Sequence, residues 1–246
     1  MMQRKFSAGF IGLAVLGVVL AACVPPTGAG STCAGQTVTK PGTPGVDVIN
    51  GTKGDDVISG GGGDDIIRGK GGSDTICGGA GNDIIYGNKG KDTIYGDEMT
   101  AGDQPLSTDG SDHIFPGGGI DTVKGGGQGG FGDTVDYRSA DGNWVINLSS
   151  ARAWRDPYVN KKDTISGFEN AWGTNGVDAI TGTPGRNYLY GGDAKDKIDG
   201  GGGDDGMWGG GDGDGDVCIG NNIIRNPPAP GTCGGIPPGW ATPRMP

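Results

Sequence analysis

The chain has 246 residues, a formal charge of −10, 57 glycines and only 33% hydrophobic residues, so it is poor material for an ordinary packed core. The acidity excludes nucleic acid and anionic membrane surfaces as partners drawn by bulk charge, and it favours cations. One histidine, His113, and no H-E-x-x-H, G-x-S-x-G or G-x-x-x-x-G-K-[ST] motif leave little for acid–base, nucleophilic or phosphate chemistry, which excludes a familiar enzyme.

The first segment, "MMQRKFSAGFIGLAVLGVVLAAC", puts basic Arg4 and Lys5 before an apolar run and small residues before Cys23. Residues 1–22 read as an export signal, the run being short for a membrane span. Leu20-Ala21-Ala22-Cys23 resembles the lipobox of bacterial lipoproteins. That resemblance implies cleavage before Cys23, a diacylglycerol on its thiol, and a protein lipid-anchored to a bacterial membrane at the cell surface. Residues 23–41 then form an N-terminal tether. Four cysteines remain, Cys33, Cys77, Cys218 and Cys233, an even number that in an exported chain reads as disulfides. Three pairings are open; Cys33–Cys77 and Cys218–Cys233 are favoured because each pair lies within one end of the chain.

From 42 to 95 the sequence divides without a gap into six nonamers: GTPGVDVIN, GTKGDDVIS, GGGGDDIIR, GKGGSDTIC, GGAGNDIIY and GNKGKDTIY. Glycine holds places one and four, aspartate place six and isoleucine place eight. Places seven and eight are β-branched and predict a short strand after a six-residue turn. Strand alternation sends the isoleucine inward and its neighbours outward. Two nonamers make one coil, so repeat n stacks on repeat n+2 and the aspartates form two ladders, Asp47/Asp65/Asp83 and Asp56/Asp74/Asp92. Carboxylates about 5 Å apart repel by roughly 3 kcal/mol at an effective dielectric near 20. A divalent cation between turns converts that repulsion into attraction, and an all-oxygen, flexible donor set suits Ca²⁺.

This pattern, G-G-x-G-x-D-x-U-x, resembles the haemolysin-type calcium-binding (RTX) repeats, whose fold is an all-β, right-handed parallel β-roll. The resemblance implies sites between stacked turns, with carbonyls from places two and four of one turn and one and three of the next. One site would use Thr43, Gly45, Asp47, Gly60, Gly62 and Asp65; the next would use Gly61, Gly63, Asp65, Gly78, Ala80 and Asp83.

The first block, 42–124, is interrupted by a loop insertion at 97–109 and resumes with Asp112 and Asp121. Residues 125–172 form a non-repeat spacer in which Trp144, Ile146 and Leu148 alternate as a strand; such spacers often divide two RTX blocks. The second block, 173–220, is weaker: Asp178, Asp196 and Asp205 keep the sixth place, but Asn187 and Ala194 replace an aspartate and a glycine. Residues 221–246 are a Pro-rich tail.

Three functions fit these features. The first is a calcium-binding, calcium-stabilised extracellular module without catalytic activity. The second is an adhesin that uses the roll as a stalk toward an extracellular protein or glycan, with Tyr86, Tyr95, Trp154 and Trp172 as candidate contacts. The third is an ice-binding array of Thr43, Thr52, Thr174 and Thr183.

Overall fold

The computed structural model describes residues 32–97, 110–127, 131–158, 160–210 and 215–220. The export signal, Cys23, residues 98–109 of the loop insertion, Cys233 and the tail lie outside the described residues.

The fold is the expected parallel β-roll. One sheet stacks eight parallel strands in the order Val48–Asn50, Ile66–Gly71, Ile84–Lys89, His113–Phe115, Thr134–Asp136, Asn170–Trp172, Tyr188–Tyr190 and Gly206–Trp208. The other begins with Lys40–Pro41, Val57–Gly62, Thr75–Ala80, Thr93–Tyr95, Thr122–Lys124 and Lys162–Ser166. It continues through Arg152–Arg155 and Trp144–Asn147 to Ala179–Thr181, Lys197–Asp199 and Val217–Ile219. Ile49 pairs with Ile67 and Ile58 with Ile76, so each repeat stacks on the second one after it. The strands at 57–62, 66–71, 75–80 and 84–89 are six residues long rather than three, because backbone pairing runs on into the turns, as between Gly61 and Gly79.

The eighth-place side chains make a single file between the sheets. Ile58, Ile67, Ile76, Ile85 and Ile94 are fully buried; Ile114, Val123, Val135, Ile165 and Ala171 extend the file, and Ile180, Leu189, Ile198 and Met207 complete it. Burying each such side chain stabilises the coil by about 1.5–3 kcal/mol.

Both sheets pass through residues 125–172. Thr134–Asp136 and Asn170–Trp172 are ordinary rungs of the first sheet. In the second, Arg152–Arg155 runs antiparallel between Lys162–Ser166 and Trp144–Asn147, and the latter restores parallel pairing with Ala179–Thr181. Here Tyr137, Leu148 and Phe168 thicken the core, and Trp144 packs against it.

At the other end, residues placed in the tether by sequence pack on the roll. Thr32–Cys33 pairs antiparallel with Gln36–Thr37, Lys40–Pro41 pairs with Ile58–Ser59, and Cys33 is joined to Cys77 by a disulfide. Cys218 is also disulfide-bonded.

Candidate metal centre

Each turn delivers one carboxylate to the edge of the roll, and the coils use it as a rung. Oδ1 of each aspartate accepts the backbone amide of the aspartate one coil earlier: Asp47 to Asp65 at 2.7 Å, Asp65 to Asp83 at 2.8 Å, Asp83 to Asp112 at 2.8 Å and Asp112 to Asp133 at 2.9 Å. Glu169 Oε2 accepts the Asp133 amide, and Asp205 accepts the Asn187 amide, each at 2.9 Å. The other edge runs Asp56, Asp74, Asp92, Asp121 and Asp163 in the same way, and then Asp178, Asp196 and Asp216.

The second carboxylate oxygen divides the turns into two kinds. In Asp65, Asp74, Asp83, Asp92, Asp112, Asp121 and Asp205, Oδ2 is buried and has no hydrogen-bond partner. Except in Asp121, whose turn begins with Pro116, it faces a glycine: a methyl group on Gly60 would strike both Asp65 Oδ2 and the Gly78 carbonyl oxygen, and one on Gly78 would strike Asp83 Oδ2 and the Gly96 oxygen. A carboxylate oxygen and a carbonyl oxygen thus converge where any side chain would intrude. In these turns the second place takes positive φ, at Gly61 (99°) and Gly79 (114°) and even at Lys70 (78°) and Asn88 (69°).

The turns that begin Gly-Thr are closed. Asp47 Oδ2 accepts the Thr43 amide at 2.6 Å and the Thr43 hydroxyl at 2.8 Å. Thr52 holds Asp56 and Thr174 holds Asp178 in the same way, and Asn187 Oδ1 accepts the Thr183 amide at 2.6 Å. None of these four threonines has positive φ. The hydroxyls of Thr43, Thr52 and Thr183 bond within their own turns, and that of Thr174 also reaches the Gly142 carbonyl at 2.8 Å.

Burial dominates the electrostatics of the open turns. It raises the carboxyls of Asp83 and Asp121 to about 7, Asp112 to about 9, and Asp92 and Asp163 to about 6, against the opposing pull of the amide each accepts. Neighbouring carboxylates push the same way: Asp133, Asp83 and Asp97 act on Asp112, and Asp65 and Asp64 act on Asp83. Asp65, Asp74, Asp178 and Asp205 are also raised by burial. Negative charge here is costly without a compensating cation.

The structure brings together Asp65, Asp83, Gly61, Gly63, Gly78 and Ala80 at one level of the stack. Methyl groups on Gly79 and Gly81 would strike the Gly61 and Gly63 carbonyls respectively, so those oxygens point along the stack; the Ala80 oxygen accepts the Gly63 amide at 2.7 Å. At the level below, the Thr43 carbonyl accepts the Gly62 amide at 2.9 Å and the Gly45 amide donates to the Thr43 hydroxyl at 3.2 Å. Among the described residues no three His, Cys, Asp or Glu side chains surround one point, so any cation site must draw on backbone carbonyls. Buried carboxylate oxygens facing glycine-lined carbonyls fit a hard cation with oxygen ligands.

Sequence reasoning missed Asp133, Glu169, Asp163 and Asp216 as rungs. The signal was there: Asp133-Thr134-Val135 and Asp163-Thr164-Ile165 repeat the triplet at Asp92-Thr93-Ile94. Irregular spacing hid it, the inward residues Ile85, Ile114, Val135, Ala171 and Leu189 being separated by 29, 21, 36 and 18 positions. The outward aromatics are engaged on the sheets. Tyr86 stacks on Phe115 at 4.5 Å and Trp172 lies under Arg138 at 3.9 Å; Tyr95 and Trp154 carry Lys124 and Lys162. His113 Nε2 lies 2.6 Å from Asp136 Oδ2, which also binds Arg138.

Fold and edges together define a parallel β-roll with calcium-binding turns. Residues 41–76, 69–98, 172–207 and 181–216 match the RTX calcium-binding nonapeptide repeat, so the chain carries haemolysin-type repeats at both ends of the stack. Comparison with curated proteins gave no match. The matched repeat is a structural calcium-binding unit rather than a catalytic one.

Proposed function

We propose that this chain is a non-catalytic, calcium-stabilised module of the bacterial cell surface, exported by residues 1–22 and held to the membrane by lipid on Cys23. The observation that carries the calcium reading is the row of buried, partnerless Oδ2 atoms, one per open turn on both edges. Calcium supplies divalent charge and accepts six to eight oxygen ligands. In this reading the open turns hold it: Asp65 with Asp83 and Asp83 with Asp112 on one edge, Asp74 with Asp92 and Asp92 with Asp121 on the other. Asp196 and Asp205 act likewise in the second block, while the carboxylates of Asp47, Asp56 and Asp178 are engaged by threonine and serve as ends of their ladders.

Circular dichroism of the mature chain during a calcium titration tests this. The chelated protein is expected to lose most β-structure and regain it at millimolar calcium, folding and binding being one event. Equal structure and heat resistance with and without chelator would overturn it. Release from membranes on Cys23→Ser tests the anchor, and retention of the variant would remove it.

A further inference from the structure

The two edges of the first block differ in charge. The turns at 51–56, 69–74 and 87–92 carry Lys53, Lys70, Lys89 and Lys91, whereas those at 42–47, 60–65 and 78–83 carry no Lys or Arg. Within a chain of net −10 these four lysines offset Asp55, Asp56, Asp74 and Asp92 of the same turns, while Asp47, Asp64, Asp65 and Asp83 on the other edge have no such offset. Lys53, Lys70, Lys89 and Lys161 enter no ion pair among the described residues.

These lysines border a groove of about 1,210 Å³, larger than a typical small-molecule pocket. Its floor runs along the stack. Gly71 is in register with Lys89, Lys89 bridges to Gly118, and Gly71 lies over the Lys53 carbonyl, so successive coils present lysine and glycine in turn at about 4.8 Å intervals. Glycine leaves backbone polar groups uncovered there. The far end is walled by the hairpin around residue 156, with the exposed Tyr158 ring beside the Arg155 guanidinium, the half-buried Trp144, and Lys161. Two carboxylates also line it. Asp163 is turned inward onto the Tyr137 hydroxyl and the Asp121 amide, which leaves Asp141 as the exposed one.

We propose that this edge is a binding groove for a linear acidic polysaccharide, whose carboxylate or sulfate groups pair with the lysines while a sugar ring lies against Tyr158. Cations recurring along an axis suit acid groups recurring along a chain. Aromatic faces and bare backbone suit hydroxyl-bearing rings. The inference gives the surface module a ligand and rests on the fold, not on how many ions it holds.

Chondroitin sulfate oligosaccharides are the probe, with uncharged dextran and oligo-dT beside them, all on calcium-folded protein checked by circular dichroism. Binding of the sulfated glycan, weakened by salt, is expected. It should fall about tenfold or more in Lys53→Gln/Lys89→Gln/Lys161→Gln and stay within about twofold in Lys40→Gln/Lys195→Gln/Lys197→Gln, an equal charge change elsewhere. No binding by folded protein, equal losses in the two triple variants, or oligo-dT bound as tightly would each overturn the proposal. Failure to fold with calcium would instead count against the calcium reading, so the two outcomes separate.

Discussion

At the scale of single residues, place two decides what a turn does with its carboxylate. A threonine there donates twice to the side chain at place six and closes the turn; glycine, lysine or asparagine with positive φ leaves Oδ2 bare. Asp83→Ala therefore removes an oxygen facing both neighbouring levels and should raise the calcium midpoint severalfold, whereas Asp47→Ala should move it little. Thr52→Val should lower thermal stability by about 1 kcal/mol, the worth of a lost turn-closing bond, and, because folding and binding are coupled, raise the calcium midpoint less than Asp83→Ala does. Titrations followed by circular dichroism separate these. Asn187 belongs to the same logic: its Nδ2 donates to the Glu169 carbonyl at 2.6 Å, which an aspartate would repel.

The same carboxylates predict a pH effect. Their pKa values in the ion-free fold lie above the unfolded value, so the ion-free fold is helped below about pH 4 and loses that help as pH rises through 6 to 7, where Asp92, Asp83 and Asp121 ionise. Calcium requires the ionised form. Its midpoint should therefore rise as pH is lowered from 8 to 5.5, with proton release on binding measurable by calorimetry in buffers of different ionisation enthalpy. A pH-independent midpoint would contradict this.

At the scale of elements, strand and turn were legible because the nonamer is self-similar: the inward file, the register of n on n+2 and both ladders follow from four fixed columns. The continuation through 125–172 was not, since rungs such as Asp133 and Asp163 are separated by irregular insertions and only three-dimensional stacking reveals them. The threonine closures were hidden for another reason: Thr at place two reads as a tolerated substitution until its hydroxyl is seen on Asp47. At one element a protein group meets the second carboxylate oxygen. Tyr137, itself buried, donates to Asp163 Oδ2 at 2.9 Å and supplies what the open turns lack. Tyr137→Phe should cost about 1–3 kcal/mol by stranding that oxygen, equally with and without calcium, as read from thermal melts. The Cys33–Cys77 bond pins the N-terminal hairpin to the fourth repeat across 44 positions, and its removal should cost about 4 kcal/mol on the chain-entropy account.

At the scale of the whole molecule, stability is distributed along the stack rather than gathered in one core. A solenoid's coils contact only their neighbours, so each region stands on its own side chains and its own interfaces. The regions differ sharply. From Ile58 to Ile94 one isoleucine per nonamer is buried, and the carboxylates beside it oppose closure. Around Tyr137, Ile146, Leu148 and Phe168 the core is thicker, the antiparallel hairpin adds pairing, and Asp163 is already satisfied. The centre should therefore survive calcium removal longest, with structure lost first at the flanking repeats. Hydrogen exchange checks this directly. In chelator, amides at 134–136, 144–147 and 164–166 should stay protected after those at 57–94 and 179–198 have exchanged, and added calcium should spread protection outward from the middle. Uniform exchange across both regions would mean that one cooperative unit spans the roll, and that the tyrosine at Asp163 does not stand in for an ion.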